Sequence, residues 1–179
     1  MDKNKKSIFV EIFSYIKIFS AAIIIAFVFT RCVVVNAETP TASMENTIMP
    51  GDRYLGLRLS YIFEEPQRQD IIIFKFPDDE SQIFVKRIIG IPGDIVEIKN
   101  YKVYVNGEKL EEPYLKEPMM LNQNMKFVVP DECYFVMGDN RNISDDARYW
   151  KNTFVRRDKI LGKAMIKYYN GNIIFEVIE

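Results

Sequence analysis

The 179-residue sequence contains no histidine. That gap removes Ser–His–Asp and Cys–His catalysis, and every zinc site built on imidazole. Cysteine is nearly as scarce, and Cys32 and Cys133 alone are too few for a disulfide framework. A bridge between them is chemically allowed outside the cytoplasm. Nothing in the sequence places them within reach of each other, so both read as packing residues. An excess of one charge sign is also missing. Against 24 Lys and Arg stand 25 Asp and Glu, a net charge of −1. This argues against a nucleic-acid partner, which calls for a basic excess. Internal repeats and low-complexity stretches are absent as well.

What is present is unevenly spread. Hydrophobic residues make up 48% of the chain, an ordinary globular value, but one block is concentrated near the N-terminus. Residues 12–30 read IFSYIKIFSAAIIIAFVFT, interrupted only by Lys17 and closed by Arg31. A helix of about 19 residues spans roughly 30 Å, the hydrocarbon thickness of a bilayer. The segment is apolar on all sides, unlike a helix that buries one face. Lys17 lies near the basic end, where it can snorkel toward the headgroups. Lys3, Lys5 and Lys6 in the leading MDKNKK predict a cytoplasmic N-terminus, which puts everything after Arg31 outside the cytoplasm. A cleaved signal peptide is the alternative. The apolar run is long for that role, and VVVNAE at 33–38 offers no good small-x-small site. The expected organisation is a basic cytoplasmic tail over 1–11, a transmembrane helix over 12–31 and an extracytoplasmic domain over 32–179.

Beyond Arg31 the pattern changes to short runs rich in Val, Ile, Tyr and Phe. CVVV (32–35), RYLGLRL (53–59), DIIIFKF (70–76), QIFVKRIIG (82–90), DIVEIKN (94–100), KVYVNGEKL (102–110), KFVV (126–129) and CYFVMGD (133–139) read as strands. Turn signals separate them at Pro50-Gly51, Pro77-Asp78-Asp79, Pro92-Gly93 and Asn106-Gly107. The Asn106-Gly107 pair signals a hairpin, because both residues accept positive φ. The expected fold class is mainly β, an antiparallel sandwich or barrel-like domain behind one N-terminal transmembrane helix. The polar, Pro-containing segment 111–124 is expected to run over the surface, and the last residues to add one or two strands around an Asn170-Gly171 turn.

Candidate chemistry begins at PTASMENTIMPGD, residues 40–52, which sets Ser43 between two turns. A serine needs a base, and without histidine the choices are a carboxylate, a lysine or a terminal amine. The N-terminal amine is expected across the membrane, and most carboxylates sit in solvated polar runs. Lys86 differs, because it lies within IFVKRIIGIPGD and shares a strand face with Phe84 and Ile88. A free lysine, with a pKa of about 10.4, is neutral roughly once in a few thousand at pH 7. Burial depresses a lysine by roughly 3–5 units, enough to make it a base. On spacing alone, a strand lysine that snorkels to solvent explains the same residues. Arg87 points the other way, toward a carboxylate. In MGDNRNISDDARYW (137–150), a tight polar turn at 138–141 precedes Ser144, Asp146 and Arg148. Asp146 and Arg148 are spaced to form an ion pair, although an ordinary structural turn accounts for the pattern equally.

Taken in order, these segments resemble the bacterial type I signal peptidases, membrane-anchored Ser–Lys proteases. The matching pieces are ASM (42–44) with GD (51–52), DIIIFKFP (70–77), FVKRIIGIPGD (84–94), VNGEKLEEPYL (105–115), FVMGDNR (135–141) and the series Ser144, Asp146, Arg148, Trp150. The resemblance implies Ser43 as nucleophile, Lys86 as general base, and Ser144 as the hydroxyl that hydrogen-bonds and orients the amine. It implies an oxyanion hole made by the Ser43 N–H with Thr41. It further implies a supporting Arg87–Asp139 ion pair, with Asp146 and Arg148 holding the Ser144 loop. Met44 and Val85 would wall shallow pockets for small side chains. The implied substrates are secretory preproteins, cut without metal or cofactor at a lipid bilayer. Thr41, Asn46, Asn142, Ile143, Ala147 and Lys151 depart from the commoner residues of that family, and bear on rate more than on reaction. Two other readings stand beside it. One is a Ser–Lys protease similar to self-cleaving repressors, whose DNA-binding module has no counterpart here. The other is a non-catalytic anchored β-domain that binds a protein partner.

Overall fold

The computed structural model describes residues 3–178 except 121 and 123, and side chains from residue 11 onward. Met1 and Asp2, at the start of the expected tail, lie outside the described residues, as do the side chains of Lys3, Lys5 and Lys6. Helix α1 runs over Lys3–Cys32. It therefore extends through residues expected to be a separate tail, because neither proline nor glycine interrupts them. Its stretch Glu11–Cys32 is long and apolar enough to cross a membrane and buries nothing against the rest of the chain. The β-branched run that follows turns the chain extended.

The remaining elements are β1 (Val34–Glu38), β2 (Arg53–Leu57), the single-turn helix α2 (Ser60–Phe63), β3 (Ile71–Phe76), β4 (Asp79–Gly90) and β5 (Ile95–Lys99). They continue with β6 (Lys102–Val105), β7 (Glu108–Lys109), β8 (Met125–Val128), β9 (Cys133–Met137), β10 (Val155–Arg156), β11 (Ile160–Tyr169) and β12 (Ile173–Val177). The larger sheet has the order β1-β2-β11-β3-β4-β9-β10, with β12 paired to β11, and the smaller has the order β7-β6-β5-β8. Every pairing is antiparallel. The fold is thus mainly antiparallel β behind one apolar helix, as expected. Asn106 and Gly107 both take positive φ and set the β6–β7 register of Val105 opposite Glu108.

The strand expected over 53–59 ends sooner. It leaves the sheet after Leu57 and turns through α2, whose Tyr61 hydroxyl donates to Asp70 at 2.9 Å. Strand β3 reads IIIFKF because both of its faces are buried. Ile72 and Phe74 join one core with Ile88, Phe135 and Trp150, while Ile71 and Ile73 join a second with Met44, Ile48, Tyr54 and Val85. Strand β4 lies antiparallel beside it, with Lys86 opposite Ile72. A lysine is thereby carried into the middle of a two-sided core.

The 111–124 segment runs over the surface as expected, its described residues mostly exposed or half-buried, and lies across the turn that follows β9. Glu112 forms an ion pair with Arg141, and both side chains are buried. Asn142 Nδ2 donates to Glu117 at 2.9 Å, and the Met120 N–H donates to Asn142 Oδ1 at 2.8 Å. At the far end of that turn, Trp150 packs edge-on against Phe76 and Phe84, with centroids 5.2 and 6.0 Å away. The residues between Met137 and Trp150 are therefore pinned at both ends.

Candidate active site

The connection from β1 to β2 folds back on itself. The Gly51 N–H donates to the Thr39 carbonyl at 2.7 Å, and the Thr39 N–H returns a bond to Asp52 at 3.1 Å. Met44 and Ile48 are wholly buried and anchor this loop in the second core. Ser43 sits in a single 3-10 turn over Ala42–Met44, is 7% exposed, and accepts at its carbonyl from the Asn140 N–H at 3.1 Å. Side chain and backbone are thus both fixed.

Strand β4 delivers Lys86 to this turn. Its Nζ lies 2.6 Å from Ser43 Oγ, and the lysine is 4% exposed. Thr41 Oγ1 is 3.3 Å from the same Ser43 oxygen. Burial pushes the Lys86 amine down from 10.5 to about 8, against the opposing pull of the Asp146, Asp145 and Asp139 carboxylates. The amine is therefore neutral in a large fraction of molecules at mildly alkaline pH.

Two buried ion pairs frame the amine. Arg87 Nε and Nη2 donate to Asp139 at 2.9 and 2.8 Å, and Thr47 Oγ1 donates to Asp139 Oδ2 at 2.5 Å. Arg148 donates through Nε and Nη2 to Asp146 at 2.7 and 2.9 Å, and the Gly138 N–H donates to Asp146 at 3.0 Å. Such pairs cost desolvation, and that cost is offset only when the geometry is bidentate and the remaining oxygens are bonded, as here.

The pair opens on an apolar groove of about 540 Å³, lined by Val35, Ala37, Tyr54, Val85 and Ile143 among others. Strand β1 forms one wall and lies at the end of the strand order, so its outer edge has no strand partner among the described residues. An extended peptide can add to such an edge. Among the described residues no three Cys, Asp or Glu side chains gather as a metal site.

The family described as "Signal peptidase, peptidase S26" matches residues 12–169. The chain belongs to the signal peptidase family. A protein named signal peptidase I from Aquifex aeolicus is 36% identical over 212 aligned positions, covering 84% of this chain and 82% of that protein. A probable signal peptidase I-2 from Synechocystis is 40% identical over 135 residues; the match covers 73% of this chain and only 61% of the relative's length. A solved signal peptidase I from Enterococcus faecalis is 37% identical, covering 56% of this chain and 97% of that chain, with a TM-score of 0.49.

The family's sequence pattern and this geometry coincide at most of the expected positions. Ser43, Lys86 and Thr41 meet, and Arg87 with Asp139 and Asp146 with Arg148 are paired. Two expectations need correcting. Ser144 is buried beside the site, but its Oγ has no hydrogen-bond partner, so the expected bond to Lys86 is not formed. Met44 does not wall the groove. It is wholly buried in the second core, whose Val35, Tyr54 and Val85 do line the groove. The departure at Asn46 is also accounted for. Its φ of +96 is closed to proline, and its side-chain amide donates to the Tyr114 carbonyl at 3.0 Å. The loop is tied by that bond rather than by a ring.

Residues that sequence reasoning passed over complete the candidate site. Thr47 bonds Asp139, and Asp145 lines the groove. Gly138 is a matter of space, since a Cβ there would fall 2.4 Å from the Ser43 carbonyl oxygen and 2.3 Å from Ser144 Oγ. A glycine directly before Asp139, at the end of a strand, was the available signal.

Two outcomes follow from this packing. Gly138→Ala forces Ser43 and the Ser144 turn apart. Displacements near 1 Å cost on the order of 100-fold in rate, so peptidase assays on the folded variant should show a loss of about that size. Lys86→Met should stabilise the protein. The lysine's folded value of about 8 lies below 10.5, so its burial costs on the order of 3 kcal/mol fully below pH 8, fading to nothing by about pH 10.5. Denaturant titrations of the full chain should show the variant more stable at pH 7, with the gap closing as pH rises.

Proposed function

We propose that this chain is a membrane-anchored serine endopeptidase that removes signal peptides from secretory preproteins, with Ser43 as nucleophile and Lys86 as general base. The observation that carries this reading is the 2.6 Å approach of a buried amine to a buried hydroxyl at the floor of an apolar groove. Neutral Lys86 takes the Ser43 proton as Oγ attacks the scissile carbonyl. The Ser43 N–H and the Thr41 hydroxyl stabilise the oxyanion. The tetrahedral intermediate collapses, and the Lys86 ammonium gives its proton to the leaving amine. Lys86, neutral again, takes a proton from water as that water attacks the acyl-enzyme carbonyl, and returns it to Ser43 Oγ as the ester C–O bond breaks. Every proton has a donor and an acceptor within this set.

The substrate lies extended against the free edge of β1, with small side chains facing the groove wall of Val35, Ala37 and Val85. The N-terminus is cytoplasmic, α1 crosses once, and the β-domain faces the outside. Only about 12 residues separate Arg31 from Ser43, at most roughly 40 Å if extended. The nucleophile therefore stays close to the surface where signal peptides emerge. Protease added outside spheroplasts should digest the β-domain.

Cleavage of a purified preprotein tests the mechanism. Ser43→Ala and Lys86→Ala should fold and lose at least about 1,000-fold in rate, and Thr41→Val should lose about 100-fold. Activity should rise with pH through about 8 as the Lys86 amine loses its proton, and chelators should leave it unchanged. Full activity in Lys86→Ala would overturn the assignment and favour an anchored binding domain.

A further inference from the structure

We infer that Tyr114 is a positioning residue for the Ser43–Lys86 pair, holding Arg87 against Asp139 from the segment that joins β7 to β8. The inference rests on the peptidase reading and adds to it a residue that lies outside the groove.

Three contacts carry it. The Tyr114 ring centroid lies 3.9 Å from Arg87 Cζ, so the ring covers one face of the guanidinium. The edge of that guanidinium meets Asp139 through two hydrogen bonds. Asp139 immediately precedes Asn140, whose N–H holds the Ser43 carbonyl. The second contact is made by the Tyr114 backbone, whose carbonyl accepts from Asn46, three residues after Ser43. The third fixes the ring itself, as its hydroxyl donates to Glu112 Oε1 at 3.1 Å, and Glu112 is ion-paired to buried Arg141. One residue thus touches the nucleophile's loop through its backbone and the arginine beside the base through its ring.

The electrostatic consequence has a definite sign. The charged groups that act on the Lys86 amine are Asp139 at the end of β9, and Asp146, Asp145 and Arg148 in the turn beyond it. Arg87 neutralises Asp139 from the neighbouring position of β4. With the ring gone, water reaches the Arg87–Asp139 pair and screens it. The carboxylate is then less neutralised, and the Lys86 ammonium is stabilised. The base becomes harder to deprotonate, and the acid limb of the pH profile moves to higher pH.

The test compares Tyr114→Phe, which keeps the ring, with Tyr114→Leu, in full-length protein in detergent, on a purified preprotein. The leucine variant should lose about tenfold in kcat, keep KM within about twofold, and shift the acid limb of kcat/KM upward. The phenylalanine variant should restore both the rate and the limb. Tyr114→Met repeats the comparison if the leucine variant does not fold. A ring-free variant that folds and matches wild type in rate and limb overturns the inference while leaving the peptidase reading intact. A rise in KM alone, or a phenylalanine variant as impaired as leucine, overturns it equally. An inactive wild-type chain would overturn both.

Discussion

A primary amine held out of water beside a hydroxyl is the constraint on which the rest of this molecule depends. Lys86 has Ser43 Oγ at 2.6 Å and no carboxylate bonded to it among the described residues. Acidic groups are close, but Asp139 is bonded by Arg87 and Asp146 by Arg148. An unneutralised carboxylate at either place would keep the amine charged, because opposite charges favour the ionised form. The two arginines thus do more than brace loops, since they withhold counter-charge from the lysine. Asp145 forms no ion pair among the described residues, but it is exposed, and water weakens its reach.

The architecture supplies this environment economically. Strand β4 runs between two cores, so consecutive residues face different surroundings. Lys86 goes with Phe84 and Ile88 toward one, and Arg87 points the other way toward Asp139. Gly138 lets the Ser43 backbone press against the turn after β9, where any side chain would intrude. The smaller sheet contributes through its connecting segment, which bridges the nucleophile's loop and that turn.

Much of this was legible in the sequence. Periodicity of two placed Lys86 among apolar neighbours, the all-round apolar run marked α1, and Asn106-Gly107 fixed a hairpin. The Asp146–Arg148 pair is local, so spacing could offer it, though only the folded turn tells it from an ordinary loop. What escaped notice depends on distant partners. The grip of residues 111–124 on the turn after β9 was hidden, because Glu112 meets its arginine only at 141, across a fold that local pattern does not encode. Met44 sits beside Ser43 in sequence, yet a 3-10 turn rotates it into the core. The 53–59 run looked like strand to its end because apolar content does not reveal where a chain must leave the sheet. The helix over 3–11 was hidden by its charge, which suggested a tail although no residue there breaks a helix.

Between the last residue of α1 and the first of β1 stands a single residue, Val33. Its N–H closes the helix on Phe29, and its carbonyl takes the Arg58 N–H at 2.8 Å beside the end of β2. No slack linker separates the lipid-facing rod from the strand that walls the groove. The direction of that rod is thereby geared to the tilt of the groove's wall, so whatever turns the one turns the other.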